Sequence, residues 1–172
     1  MAGADVPTRT LVVHAPDWPV LAAGPEPSAA LVVVRANRVV AASMAARGAG
    51  VEVGLRRREA QRRCPHVEVV DHDPARDARA FEPVAASLDA LTPGVEVAVP
   101  GTLAFATRGP SRYFGGDEAL AGRVAQTVSD ALHGRWPVRV GVADGAFAAL
   151  LAARAVHPRG GPARVVAPGE GA

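Results

Sequence analysis

The sequence predicts an α/β protein of the α+β type, with a ferredoxin-like βαββαβ core, an antiparallel sheet and a small subdomain inserted after the first strand. Outside residues 20–71, apolar runs and amphipathic stretches follow the order strand, helix, strand, strand, helix, strand. Inside residues 20–71, a second series of short strands and helices interrupts that order. An insertion at this point of such a sheet is uncommon, so it narrows the families to consider.

The core elements follow from apolar spacing and turn residues. The first amphipathic stretch has Phe81, Val84, Leu88 and Leu91 on one stripe, and the second has Leu120, Val124, Val128 and Leu132. Pro100 and Gly101 suit a type II turn between two strands. The predicted core strands are 11–13, 95–99, 103–107 and 138–142, the first helix is 74–91, and a further helix at 146–156 and a strand at 163–166 follow. The segment 109–116 is predicted to be a loop.

The insertion has its own pattern. Two β-branched runs, 31–34 and 39–42, flank residues 35–38 and predict a hairpin. A loop is predicted at 22–29, a polar helix at 55–63 that ends before Pro65, and a strand at 67–70.

Composition excludes several classes of protein. The 172 residues predict one domain with an embedded subdomain, and the single cysteine, Cys64, cannot form an internal disulfide, which is typical of a reducing cytoplasm. No targeting peptide and no apolar run of ~18 residues is present, so no membrane partner is expected. All 19 basic residues are arginine. Nucleotide chemistry that depends on lysine is therefore excluded.

Several motifs resemble one family of nucleic-acid enzymes. They are PDWPV at 16–20, GPSRYFGG at 109–116 and GVADG at 141–145, supported by the broader stretches 9–13, 39–51, 63–66, 91–107 and 140–153. The broader stretches resemble the palm and fingers of Y-family (translesion-type) DNA polymerases, and the three motifs resemble, more narrowly, the ImuB group of non-catalytic homologues. The resemblance implies a palm at 1–19 and 72–172, fingers at 20–71, and no thumb or little finger. The chain is then either a truncated piece or a short paralogue.

The resemblance also identifies the positions where active members carry metal-binding carboxylates. The acid at the end of the first palm strand falls on Ala15, and the Asp-Glu pair of the central hairpin falls on Gly101 and Thr102. Asp17 matches the second acid of the family's Asp-x-Asp motif, which is a secondary position for metal binding. Two divalent ions in phosphoryl transfer need hard oxygen ligands, which these side chains do not supply. The chain is therefore expected to have no polymerase activity, no metal and no cofactor.

Positions that contact the nucleotide in the family have changed as well. The Tyr-x-x-Arg motif reads Met44-Ala45-Ala46-Arg47, so that only its arginine remains, the palm lysine falls on Leu150 and the aromatic steric gate falls near Val20. Arg47 is expected either to pair with an acid such as Glu52 or to remain as an anion site.

Five arginines in eight residues form the strongest charge cluster. This Arg cluster consists of Arg56, Arg57, Arg58, Arg62 and Arg63. It predicts a solvated helix face or a contact with DNA or with a partner protein.

Other conspicuous residues have structural interpretations. Asp71, His72 and Asp73 are expected to form a turn rather than a metal site, because adjacent strand residues point to opposite faces. Cys64 is expected to be structural. Trp18 and the pair at 113–114 are expected to pack in the interior rather than serve as docking surfaces.

These inferences predict an accessory scaffold in error-prone translesion synthesis and damage-induced (SOS) mutagenesis, cytoplasmic and nucleoid-associated, with weak, non-specific DNA binding. By resemblance to ImuB, its partners are an error-prone C-family polymerase, an ImuA-like or RecA-related protein and the sliding clamp, whose binding motif is not in this chain. Two alternatives stay open: a residual metal-dependent polymerase using Asp17, Asp144 or Glu96 as ligands, and a protein-interaction module without DNA contact.

Overall fold

The computed structural model describes residues 7–24, 26, 28–157 and 160–170. Backbone contacts divide the chain into two compact units. Unit 1 contains the residues up to Pro16 and those from Pro83 onward, and unit 2 is Asp17–Glu82. The unit boundaries therefore fall at 16/17 and 82/83, whereas the sequence predicts domain boundaries at 19/20 and 71/72.

Eight strands and seven helices are present in the described part of the chain. In order they are β1 Arg9–His14, α1 Trp18–Ala22, β2 Leu31–Arg35, β3 Arg38–Ala42, α2 Met44–Gly48, α3 Arg57–Arg63, β4 Glu68–Asp71, α4 Pro74–Ala86, β5 Glu96–Val99, β6 Thr102–Ala106, α5 Arg108–Phe114, α6 Asp117–Ala131, β7 Arg139–Asp144, α7 Ala146–Arg154 and β8 Ala163–Val165. No helix among the described residues is both long and apolar enough to cross a bilayer.

Unit 1 is built on a five-stranded sheet in the order β5-β6-β1-β7-β8. Its first four strands pair antiparallel, and β1 lies between β6 and β7. This is the predicted ferredoxin-like arrangement, in which the hairpin strand β6 separates the parallel strands β1 and β5. The last strand, β8, extends the sheet by pairing parallel to β7.

Helix α7 covers one face of this sheet. Val12 pairs with Gly141 across β1 and β7, and Val12 and Ala143 pack with Ala149 of the helix. A Cβ atom at Gly141 would overlap the backbone of α7, so only glycine permits this close approach. Helix α6 contacts β7 and β8 and buries its predicted apolar stripe, which includes Leu120, Val124 and Val128.

The prediction of a loop at 109–116 is wrong, because this segment contains most of helix α5. Pro110 lies in the first turn of α5, where its missing N–H costs no hydrogen bond. Gly115 then ends the helix with a left-handed backbone (φ +92). Gly and Pro therefore mark the two ends of a short helix here rather than an irregular segment.

Unit 2 contains a three-stranded sheet in the order β3-β2-β4, with β2 and β4 parallel. The predicted hairpin is confirmed, since β2 and β3 pair antiparallel. Its two turn residues, Ala36 and Asn37, have φ of +48 and +62, as type I′ turns require. Helices α1 and α2 were not predicted, because five residues are too few to show a helical period. Residues 25 and 27 of the predicted loop lie outside the described residues.

Two helix boundaries differ from the prediction. The polar helix begins at Arg57 rather than at 55, since residues 54–57 run beside β3 and bond to it: Val39 donates its N–H to Leu55 O at 2.9 Å. Helix α4 ends at Ala86 rather than at 91, because the backbone then closes tighter i→i+3 turns, in which the Leu88 N–H donates to Ala85 O at 3.1 Å.

Candidate functional site

The three degenerate positions of the predicted polymerase site meet at one end of the unit 1 sheet. His14, the last residue of β1, pairs with Thr102, and Ala15 donates its N–H to Gly101 O at 2.8 Å. The backbone of Gly101 has a φ of +93, which fits the third residue of the predicted type II turn. The prediction that Ala15 lies beside 100–102 is confirmed.

The side chains at this end of the sheet supply few oxygen or nitrogen atoms that could coordinate a cation. Ala15 offers a methyl group, Gly101 offers no side chain, and Thr102 is buried with its hydroxyl 3.0 Å from His14 Nδ1. Across the described residues, no group of three or more His, Cys, Asp or Glu side chains is arranged to hold a metal ion. The donor set at this place does not fit a pair of divalent ions, which require several carboxylate oxygens.

Two acids considered as substitute ligands lie elsewhere in unit 1. Asp144 pairs with Arg9 at the opposite end of β1, and Arg9 and His14 are five residues apart, about 17 Å along a strand. Glu96 pairs with Ala104, two residues along β6 from Thr102, or about 7 Å. Neither backbone position coincides with the three degenerate positions.

The third acid, Asp17, forms an ion pair within unit 2. Arg47 Nη2 lies 2.6 Å from Asp17 Oδ1, and Arg47 also donates from Nε to Ala42 O at 3.2 Å. Helix α2 carries Arg47 in its last turn, and Asp17 precedes α1 with a left-handed backbone (φ +55), a conformation that Asp tolerates better than most residues. Asp17 and Arg47, which the resemblance predicts to occupy functional positions of the family, therefore bind each other.

The expectation that Arg47 pairs with an acid is confirmed, but the acid is Asp17 and not Glu52. Glu52 lies 3.6 Å from Arg63, which also pairs with Glu59 at 3.1 Å and donates to Gly50 O at 2.6 Å. The i,i+4 spacing of Glu59 and Arg63 on α3 brings their side chains together. Arg63 therefore belongs to a local ion-pair group rather than to the free part of the Arg cluster.

The rest of the Arg cluster is exposed to solvent. Arg58 and Arg62 are one turn apart on α3 and project away from Ala60, which is fully buried. Arg56 precedes the helix and Arg57 begins it. Among the described residues, no acid forms an ion pair with these four arginines. The cluster therefore presents four free guanidinium groups.

A charged network that the sequence did not predict lies at the other end of β1. Arg9 contacts Asp117 at 2.7 Å and Asp144 at 3.2 Å, and it donates to Val166 O at 2.6 Å. Ser111 donates to Asp117, and the backbone N–H of Gly169 donates to Asp144 at 2.7 Å. The network ties α5, α6, β7 and the residues after β8 to β1.

The interactions within this network favour the charged forms of Arg9, Asp117 and Asp144. Burial alone would raise the pKa of Asp117, but hydrogen bonds from Ser111 and Arg9 and the charge of Arg9 lower it. The Gly169 N–H lowers the pKa of Asp144 against the opposing effect of burial, and the hydrogen bond and charge of Arg9 lower it further. Burial opposes the charge of Arg9, yet its bonds to the two carboxylates raise its pKa overall.

The minor candidates are structural. Asp73 Oδ1 accepts from the N–H groups of Ala75 and Arg76 at the start of α4, which lowers the pKa of Asp73, so Asp73 caps this helix and Asp71 ends β4 where a turn was predicted. Cys64 is buried. Trp18 is buried, packs edge-on against Phe81 at 4.8 Å and donates from Nε1 to Asp77 O at 2.9 Å.

The interior packing predicted for Tyr113 is wrong. The residue is 83% exposed, with its ring edge-on to Phe114 at 4.8 Å. Helix α5 places the Tyr113 side chain on its outer surface, an orientation that a predicted loop could not reveal.

The sequence profile of the impB/mucB/samB family (IMS) matches residues 19–154, most of the chain. The chain belongs to this family. No curated protein matches it. Its fold is similar to an insertion ternary complex of Dbh DNA polymerase (20% identity, TM-score 0.74), covering 94% of this chain and 49% of that one. A post-insertion binary complex of Dbh DNA polymerase is similar at 20% identity and TM-score 0.75, with the same coverage of 94% and 49%.

DinB from Sulfolobus solfataricus is similar at 19% identity and TM-score 0.69, covering 92% of this chain and 48% of that one. This member of the IMS family thus has the palm and fingers fold of Y-family polymerases. It spans about half the length of these solved structures.

Proposed function

We propose that this IMS-family chain is a non-catalytic homologue of the ImuB type, which acts as an accessory scaffold in error-prone translesion synthesis and damage-induced (SOS) mutagenesis. The observation that carries the proposal is the convergence of Ala15, Gly101 and Thr102 at one sheet end. These residues match the family's metal-binding carboxylates, and none of them is acidic.

The chemistry of phosphoryl transfer supports this proposal. Two metal ions activate the primer hydroxyl and neutralise the triphosphate, and they account for much of the stabilisation of the transition state. The retained acid, Asp17, is already bound by Arg47. The residual-polymerase alternative has less support, since Asp144 is held by Arg9 and the Gly169 N–H at the far end of β1.

We include weak, non-specific DNA binding in the proposed function. Similar solved structures are ternary and binary complexes of a DNA polymerase. The free guanidinium groups of the Arg cluster suit phosphate oxygens, which arginine binds without reading sequence. The proposed location, the nucleoid in the cytoplasm, follows from this DNA contact.

The proposed partners come from the resemblance to ImuB: an error-prone C-family polymerase, an ImuA-like or RecA-related protein, and the sliding clamp through segments outside this chain. Size-exclusion chromatography of this chain mixed with a purified C-family polymerase tests the scaffold role. We expect a shared peak, and separate elution of the two proteins at micromolar concentration would contradict it.

Metal binding tests the non-catalytic part of the proposal without requiring the rest of a polymerase. In calorimetry with Mg²⁺ or Mn²⁺, we expect the parent chain to show no stoichiometric site. Ala15→Asp/Thr102→Glu should create a site, and the matched neutral variant Ala15→Asn/Thr102→Gln should not. A stoichiometric site in the parent that disappears in Asp17→Ala would overturn the proposal and favour the residual polymerase.

A salt titration tests the DNA contact. Each phosphate neutralised on duplex contributes about −0.9 to the slope of log K against log salt, so two or three contacts predict a slope of roughly −2 to −3. Fluorescence anisotropy on primer-template DNA should give this slope for the parent chain, with Kd no tighter than ~10⁻⁶ M. Arg57→Gln/Arg58→Gln/Arg62→Gln should flatten the slope, and an unchanged slope would favour the module without DNA contact.

A further inference from the structure

Three arginines from separate segments of unit 2 lie side by side. Arg35 at the end of β2 pairs with Arg38 at the start of β3, and Arg38 forms an antiparallel bridge with Arg56. The segment before α3 is held in this position by backbone bonds: Arg57 donates its N–H to Asn37 O at 3.1 Å. We call Arg35, Arg38 and Arg56 the arginine row.

The pairing determines the geometry of the row. Residues directly opposite each other on antiparallel segments have Cα atoms about 4.5 to 5.5 Å apart and place their side chains on the same face. The three Cα atoms therefore extend over about 10 Å, across the direction of the strands. All three residues are exposed.

The row has no internal neutralisation. Arg38 donates to Gly54 O at 2.9 Å, which satisfies one of its five N–H groups. Within the part of the chain that the structure describes, no acid forms an ion pair with any member of the row. Like charges placed directly opposite each other destabilise a sheet. The arrangement therefore costs stability that an external anion would recover.

We infer that the arginine row binds the phosphate backbone of one nucleic-acid strand. This inference rests on the DNA contact in the proposed function and extends it from α3 to the β2–β3 hairpin. Charges in a single line fit consecutive phosphates of one strand. The aromatic residues that the structure describes in unit 2, Trp18 and Phe81, are both buried, so no exposed ring is available for base stacking. The contact is therefore electrostatic and independent of sequence.

The test is a salt titration on a twelve-nucleotide oligothymidylate, read by anisotropy. Two lost contacts on a single strand correspond to a change of about 1.4 in the slope of log K against log salt, at about 0.7 per phosphate. We expect Arg35→Gln/Arg38→Gln to show this change. The control is Arg123→Gln/Arg154→Gln, which removes the same charge from exposed positions of unit 1. It should keep the parent slope.

A second measurement separates a lost contact from a damaged fold. Removing like charges should leave the Tm of Arg35→Gln/Arg38→Gln equal to that of the parent or higher. If Arg35→Gln/Arg38→Gln has the same slope as the parent, the inference is overturned. A slope change in the control as large as that in Arg35→Gln/Arg38→Gln also overturns it. Competition by polyglutamate as strong as competition by oligothymidylate also overturns it, since the row would then suit an acidic protein.

Failure of this inference is distinguishable from failure of the proposed function. The accessory role is tested by divalent-ion calorimetry, and the α3 contact by the variant at Arg57, Arg58 and Arg62. A normal result in both, together with an unchanged slope for Arg35→Gln/Arg38→Gln, removes the arginine row alone.

Discussion

The two units carry the same net charge and arrange it in opposite ways. Unit 2 has ten arginines and nine acidic residues, and unit 1 has nine and eight, so each has one excess positive charge. In unit 1, Arg9 is about one-sixth exposed and holds two carboxylates with lowered pKa values. In unit 2, the Arg cluster and the arginine row face solvent, and most of their members lack an acidic partner among the described residues.

This difference separates charges that stabilise the fold from charges available to a partner. A network that joins segments more than 100 residues apart, such as Arg9 with Asp117, holds the sheet together. Adjacent like charges on an exposed surface do not contribute to stability, and we propose that they serve binding instead. Composition alone cannot distinguish these two uses, since the net charge is identical.

The largest expected effect is at Arg9. Arg9→Met should lower the free energy of unfolding by about 2 kcal/mol, because two partly buried carboxylates lose their cation. Hydrogen exchange should show the loss in β1, β7 and β8 of unit 1. The control is Arg123→Met, which changes an exposed arginine of the same unit and should leave exchange unchanged. Equal protection in Arg9→Met and the parent would contradict a stabilising network.

Acid should weaken the same network. Asp117 and Asp144 have lowered pKa values in the folded chain, so their contribution is complete above the unfolded value near 3.9 and is lost as pH falls through their folded values. Urea unfolding between pH 6 and 3 should therefore show stability falling below about pH 4. Asp117→Asn should reduce this dependence on pH, and a slope identical to that of the parent would contradict the assignment.

A smaller effect, and a gain, is expected at the hairpin turn of unit 2. Ala36 has a φ of +48, a left-handed backbone that costs a non-glycine residue about 1 kcal/mol. Ala36→Gly should recover most of this cost and raise the Tm. Ala30→Gly, outside any left-handed position, is the control and should not stabilise the chain. A lower Tm in Ala36→Gly would show that the turn is not strained.

The smallest effect is expected at the ion pair of unit 2. Arg47 and Asp17 are partly exposed, with side chains 42% and 26% accessible, and such pairs contribute about 0.5 kcal/mol or less. Arg47→Gln should therefore leave the unfolding free energy almost unchanged, in contrast to Arg9→Met. A loss comparable to that of Arg9→Met would remove the distinction between the two units.

Much of the fold could be predicted because local patterns report it. The stripe that includes Leu120 and Val124 predicted α6, and the alternation of strands and helices predicted the antiparallel core of unit 1. Helices α1, α2 and α5 could not be predicted. Helices α1 and α2 have five residues each, too few for a helical period, and Pro19 in α1 and Pro110 in α5 resemble loop residues when no packing partner is known.

The sequence by itself determined the order of the core strands and helices of unit 1, the resemblance to Y-family polymerases and the residue types at Ala15, Gly101 and Thr102. Each of these depends on residue identity or on spacing along the chain. Only the tertiary structure decided which charges meet: Arg47 with Asp17 rather than Glu52, Arg9 with two distant acids, and Arg38 beside Arg56. The physical reason is that ion-pair partners depend on strand register and on contacts distant in sequence, which residue spacing does not encode.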